Sequence, residues 1–183
     1  MRKNILILLT LLVSISLSAQ DKYITRNGVI NFEASVATFE AIKASNKSVT
    51  ALLNTKNGDF ATLVLIRGFK FKIALMEEHF NENYMDSDNF PKATFKGTLL
   101  DFDFERTKKQ SSAYFLEGSL TIHGITKKFK TNTTIKMVSD KILMNGTIKI
   151  NISDFDIKIP SIVKGKISEE VTIDLDFELS PKN

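Results

Sequence analysis

The sequence predicts an all-β protein, an antiparallel barrel or sandwich interrupted by one short helix, and three observations carry that expectation. Apolar and polar residues alternate with period two in segment after segment, which turns one side chain into a core and the next into water. Short runs of Gly, Asn, Asp and Ser separate these segments, so hairpins join them and no room is left for βαβ crossovers. The stretch from Met76 to Met85 departs from this period: Met76, Phe80 and Tyr84 fall four apart, the spacing of one helical face.

Taken in order, residues 1–19 read as a secretory signal peptide. Arg2 and Lys3 form a basic start, Ile5 to Leu17 an apolar run, and Ser18-Ala19-Gln20 a small-residue exit with cleavage expected after Ala19. Thr10, Ser14 and Ser16 interrupt the run before it reaches the roughly 20 apolar residues of a membrane span. Residues 20–183 are then one exported domain, periplasmic or secreted, with no stable membrane span.

The strands follow. Ile30, Phe32 and Ala34 alternate with Asn31 and Glu33; Phe69, Phe71, Ile73 and Leu75 alternate with Lys70, Lys72 and Ala74. Ser48 to Leu53 and Phe60 to Ile66 form a hairpin through Thr55-Lys56-Asn57-Gly58-Asp59, where Asn-Gly suits a tight turn. Further strands are expected at Ala93 to Leu99, Tyr114 to Ile122, Phe129 to Met137, Ile142 to Ile150 and Val171 to Leu179. The turns between them are His123-Gly124, Ser139-Asp140-Lys141 and Lys164-Gly165-Lys166. In the helix, Glu77 and Glu78 occupy the first turn, where the helix dipole favours negative charge, and Asp86 to Pro91 ends it.

Composition excludes several classes. Cysteine is absent, so core and sheet, not disulfides, must hold an exported fold together. Arg2 and Lys3 account for two of the formal +4 charges. The remaining lysines are scattered and lack interleaved aromatics, so no nucleic-acid surface is expected.

Four stretches together resemble the YceI-like, lipocalin-resembling family of exported proteins. They are His79-Phe80 leading to Asn89-Phe90-Pro91-Lys92-Ala93-Thr94-Phe95; Leu120-Thr121-Ile122-His123-Gly124-Ile125-Thr126-Lys127; Ser153-Asp154-Phe155-Asp156-Ile157; and Ile167-Ser168-Glu169-Glu170-Val171-Thr172-Ile173. The resemblance runs from Tyr23 to Leu179. It implies an eight-stranded antiparallel, lipocalin-like barrel with a helical insertion, holding a polyisoprenoid-type lipid in an apolar interior. Two departures stand out: Tyr23 to Gly28 lacks the family's Trp and Asp, and Asp156 stands where Gly is usual.

An eight-stranded barrel is just wide enough to be filled by side chains or to enclose one small ligand. Gly97, Gly118 and Gly146 fall in phase with the apolar faces of their strands. Mid-strand glycines mark sharp coiling or a place where a ligand comes close, and both readings stay open for the residues alone. The 14 Phe residues favour a filled interior. Thr131 and Thr133, in register with Phe129, Ile135 and Met137, favour a hollow one, because buried hydroxyls need partners. The preferred expectation is a tunnel lined by Phe32, Phe69, Phe71, Phe95, Leu99, Leu116, Leu120, Phe129, Ile148, Ile173 and Leu175, with Gly97, Gly118 and Gly146 against its contents. Met76, Phe80 and Tyr84 would close one mouth.

Little else in the chain carries chemistry. With His79 and His123 as the histidines and no Cys, a zinc site lacks its usual donors. Asp86-x-Asp88 opens like a calcium loop, yet Phe90 and Pro91 stand where a ligand and Gly are needed. No serine sits in a nucleophile turn. His123 is expected to fix its turn. The sequence therefore predicts a non-enzymatic binding protein with no metal, cofactor or catalytic residue, whose partner is an apolar lipid-like molecule, with the oligomeric state open and a dimer among its options. Its rivals are a ligand-free envelope interaction module and an enzyme with a site scattered through the chain.

Overall fold

Among the described residues nine strands form, all but the short β4 filling the segments where alternation placed them: β1 Lys22–Ser35, β2 Lys43–Asn54, β3 Asp59–Leu65, β4 Lys70–Phe71, β5 Lys92–Leu99, β6 Ser112–Ile122, β7 Ile125–Val138, β8 Lys141–Asn151 and β9 Ile167–Pro181. They are seen in a computed structural model that describes residues 21–182; the expected signal peptide and its cleavage site lie outside the described residues. Neighbours pair antiparallel in the order β1-β9-β8-β7-β6-β5-β3-β2, and pairing of β1 with β2 closes an eight-stranded barrel. Closure removes the free edges that would template pairing with other chains. The lipocalin-like barrel expected from the sequence is the fold.

The turns carry the predicted residues. His123 and Gly124 both take positive φ, 50° and 74°, between the paired Ile122 and Ile125, the geometry of a type I′ hairpin. In the loop that joins β2 to β3 through Thr55 to Gly58, Gly58 alone of the Asn57-Gly58 pair does so, at 75°, and its N–H donates to the Asn54 carbonyl.

The expected strand from Phe69 to Leu75 is corrected. The run β3–β4 is one strand broken by a 3₁₀ turn at Ile66–Gly68. Asn46, fully buried, spans the break: its Nδ2 donates to the Leu65 carbonyl at 2.9 Å and its Oδ1 accepts from the Ser48 N–H. After the break β2 offers only Ser45 and Ala44 as partners, to Lys70 and Phe71. With no strand left to pair, the chain turns into helix α1, Ala74–His79; Ile73 is its N-cap and Leu75 is 56% exposed. A π-helical turn, Phe80–Tyr84, continues α1. The helix expected over Met76 to Met85 is therefore present, starting two residues earlier.

A second short helix, α2 at Phe104–Lys109, was not anticipated. Asp103 caps it by accepting from the Arg106 N–H at 3.0 Å, and Thr107, fully buried, bonds the Tyr114 hydroxyl at 3.0 Å. Phe104 meets Tyr23 edge-on at 5.9 Å, and Phe102 lies 5.2 Å from Tyr114. This cluster plugs the barrel end from which β5 leaves and β6 begins.

The interior is divided in two. Near the plugged end, Val49, Ala51, Leu53, Ile135, Ile142, Met144, Phe177 and Leu179 have no solvent exposure. Phe177 lies against Gly28, where any Cβ would sit 2.6 Å from its ring; the bulge in β1 at Gly28 makes room for that ring. Further along the same strands, Phe32, Phe129, Ile173 and Leu175 also point inward yet stay only partly buried. They border an interior space.

Candidate ligand cavity

That space is a cavity of about 460 Å³, inside the range of small-molecule sites. Its floor is aromatic. Phe60 and Phe95, 6.4 Å apart, cross the barrel, and Phe60 rests on Phe177 of the packed half at 6.0 Å. The walls are the inward faces of the strands: Ile30 and Phe32 of β1, Leu116 and Leu120 of β6, Phe129 of β7, Ile148 of β8, Ile173 and Leu175 of β9. Towards the mouth come Ile122, Ile150 and the segments joining β1 to β2 and β8 to β9, with Phe39, Glu40, Val163 and Lys166.

One side of the mouth is built by the broken strand and the helix. Because β4 sits on the end of β2, Phe69 and Phe71 face Phe32 at 5.3 and 5.7 Å. Phe80, from the π turn, packs on all three, at 5.3 Å from Phe32, 5.7 Å from Phe69 and 5.1 Å from Phe71. Such edge and offset contacts each contribute about 0.5–1.5 kcal/mol beyond area burial. Met76 and Tyr84 border the cavity from the same helix. Glu77 fastens this segment to the barrel: its carboxylate pairs with Lys70 and accepts from the Phe71 N–H at 3.2 Å. The bond from Lys70 holds the Glu77 carboxyl below the usual carboxylate range.

Of the residues proposed from sequence, Phe32, Phe69, Phe71, Met76, Phe80, Tyr84, Phe95, Leu116, Leu120, Phe129, Ile148, Ile173 and Leu175 lie on the cavity. Gly97, Leu99, Gly118 and Gly146 do not. Leu99 is buried in the packed half below the floor. Gly97 and Gly118 face each other across β5 and β6, and the Phe95 ring covers both, 2.7 Å from where either Cβ would be. A Cβ on Gly146 would meet the Asn132 carbonyl at 3.2 Å and the Thr133 side chain. The glycines thus accommodate protein, not open space.

Of the two inward threonines, Thr131 reaches the cavity, whereas Thr133 is buried and donates to the Tyr114 carbonyl at 3.3 Å. Sequence reasoning missed the floor residue Phe60, whose strand was read correctly but not its aim. It also missed the mouth segments around Phe39 and Val163, which carry no period at all.

The histidines part company. His123 Nδ1 lies 3.0 Å from the Phe155 carbonyl and its ring packs at a tilt against Phe90, centroids 4.4 Å apart, so it fixes its turn. His79 is exposed and borders the mouth. Among the described residues no three His, Cys, Asp or Glu side chains gather as a metal site would require, and no helix is long and apolar enough to cross a membrane.

Comparison with known proteins agrees with this architecture. The barrel resembles a polyisoprenoid binding domain from Saccharophagus degradans implicated in plant cell wall breakdown, at 12% identity and TM-score 0.75, covering 88% of this chain and 99% of that one. BcnA of Burkholderia cenocepacia is similar at 15% identity and TM-score 0.68, covering 83% and 96%. At such identities the likeness is one of fold. Among curated proteins, a UPF0312 protein of Pseudomonas savastanoi is 28% identical over 104 residues, 54% of this chain and 49% of that protein; the chain spans about half the length of the curated relatives it matches. Residues 20–179 match the sequence description of the YceI-like domain, essentially the same span as the closed barrel, and the chain is therefore a member of the YceI-like domain family.

Proposed function

We propose that this chain is an exported carrier that shields a long apolar molecule, a polyisoprenoid or similar lipid, inside the hollow half of its barrel. One observation carries the reading: a blind apolar cavity whose charged neighbours, Glu40 and Lys166, lie, like His79, among exposed residues at its mouth. From Leu116 to Ile122 the wall runs about 20 Å along the strand, or roughly 15 Å along a barrel axis tilted by about 40°. That depth compares with one leaflet of a bilayer whose apolar core is about 30 Å thick. A dozen buried methylenes contribute roughly 10 kcal/mol before the cost of association, so binding needs no specific polar contact. The polyisoprenoid binding domain that shares this fold supports the choice of ligand class. Catalysis forms no part of the reading.

Organic extraction of the purified protein followed by mass spectrometry tests it. A prenyl or long acyl lipid in stoichiometric amount is expected; lipid-free protein that takes up neither a fluorescent prenyl nor a fatty probe overturns the proposal. Export has its own check: protein recovered from the periplasm or medium is expected to begin at Gln20.

A further inference from the structure

We infer that the segment from Lys158 to Lys166 seats the cavity mouth on an anionic phospholipid bilayer. The segment reads Lys158-Ile159-Pro160-Ser161-Ile162-Val163-Lys164-Gly165-Lys166, three lysines without an acidic residue. Ile162 at its tip is 86% exposed, far more than any other large apolar side chain on the described surface. It stands on a 3₁₀ turn, Ser161–Val163, which points an apolar side chain outward where a water-facing loop gains nothing from it. Beside it, on the segment that follows the paired strand β1, Phe39 is 47% exposed, and the Lys166 ammonium lies 6.0 Å from its ring. Val163, Lys166 and Phe39 also line the cavity, so the apolar tip is continuous with the interior.

Charge decides the occupant. Among the described residues Lys164 and Lys166 form no ion pair, and Lys158 has only the exposed Asp156 at 3.7 Å. Glu40 is the acidic residue lining the cavity on this side, and α1 and its π turn opposite carry Glu77, Glu78 and Glu82, so the positive charge is concentrated on this segment. Unpaired lysines beside an exposed isoleucine match a surface of acyl chains beneath anionic headgroups. The mouth then opens against the bilayer, and a lipid tail can pass between bilayer and barrel without crossing water.

Vesicle flotation with the purified protein tests the inference, comparing phosphatidylcholine alone with a mixture containing phosphatidylglycerol. The chain has no Trp, so an Ile162→Trp variant reports insertion by its fluorescence. Binding to the anionic vesicles is expected, with a blue shift of that emission. Ile162→Glu lowers partition more than tenfold, and Lys164→Ala with Lys166→Ala lowers it about 25-fold, close to fivefold per lysine. Val138→Glu, at the other end of the barrel, leaves it unchanged. Equal partition of the wild type and Ile162→Glu, equal binding to neutral and anionic vesicles, or self-association through Ile162 in their absence overturns the inference. Uptake of a prenyl probe without vesicles is unaffected in Ile162→Glu, so failure here is distinct from failure of the carrier reading.

Discussion

Gly97 and Gly118 oppose each other on β5 and β6, and together they form the flat bed on which the Phe95 ring lies. That bed sets the height of the cavity floor. A methyl group on Gly118 would overlap the Lys96 carbonyl and the Phe95 ring, and the backbone of a paired strand yields little. Gly118→Ala is expected to destabilise the fold by about 2 kcal/mol, read as a lower urea midpoint at unchanged m-value.

Blocking the cavity therefore calls for a different position. Ala93 borders the space from β5 and is only partly buried. Ala93→Phe fills part of the interior without pressing on backbone; a thermal midpoint within a few degrees of wild type, with at least a tenfold weaker prenyl-probe affinity, is the expected pair of results.

The two halves of the barrel are expected to answer differently to truncation. Phe177 is wholly buried among packed neighbours, so Phe177→Ala costs about 3–5 kcal/mol. Phe80 borders open space but packs on three rings, and Phe80→Ala costs about 2 kcal/mol while weakening probe binding several-fold. Parallel denaturation and titration of both variants separate stability from binding.

The Glu77 bond to Lys70 predicts a pH effect at the mouth. A carboxyl whose folded pKa lies below its ordinary value stabilises above that ordinary value, 4.5, and the contribution is lost as pH falls through the folded pKa. Because the Lys70 end of the pair is largely solvated, the effect is small, about 0.5 kcal/mol. Melts from about pH 6 down to pH 3 are expected to show the wild type losing more stability than Glu77→Gln.

Those parts of the fold with one face in water and one in a core were legible. In β9, Asp174 and Asp176 face outward and accept from Thr147 at 2.6 Å and Asn145 at 2.9 Å, while Phe177 and Leu179 are sealed inside. The Phe69 to Leu75 run has the same alternation but no partner beyond Ala44, and pairing partners are not a local property. Helix α2 was hidden by its brevity, though Asp103 as cap and Lys108 and Lys109 in the last turn are its start and stop signals.

At the site, period two told which way Phe32, Leu120 and Ile173 point. It could not tell that the space before Gly118 belongs to Phe95. Asp156 shows a departure becoming intelligible: it adopts φ of 53°, where glycine has no steric cost and Asp is one of the tolerated substitutes.

A floor of Phe60 and Phe95 backed by a solid half-barrel closes the chamber at that end and leaves the port at the mouth. An amphiphile entering such a port must go tail first and must back out the same way. Its head stays at the rim beside Lys166 and His79 throughout, so an enzyme or acceptor could act on that head while the tail remains stowed.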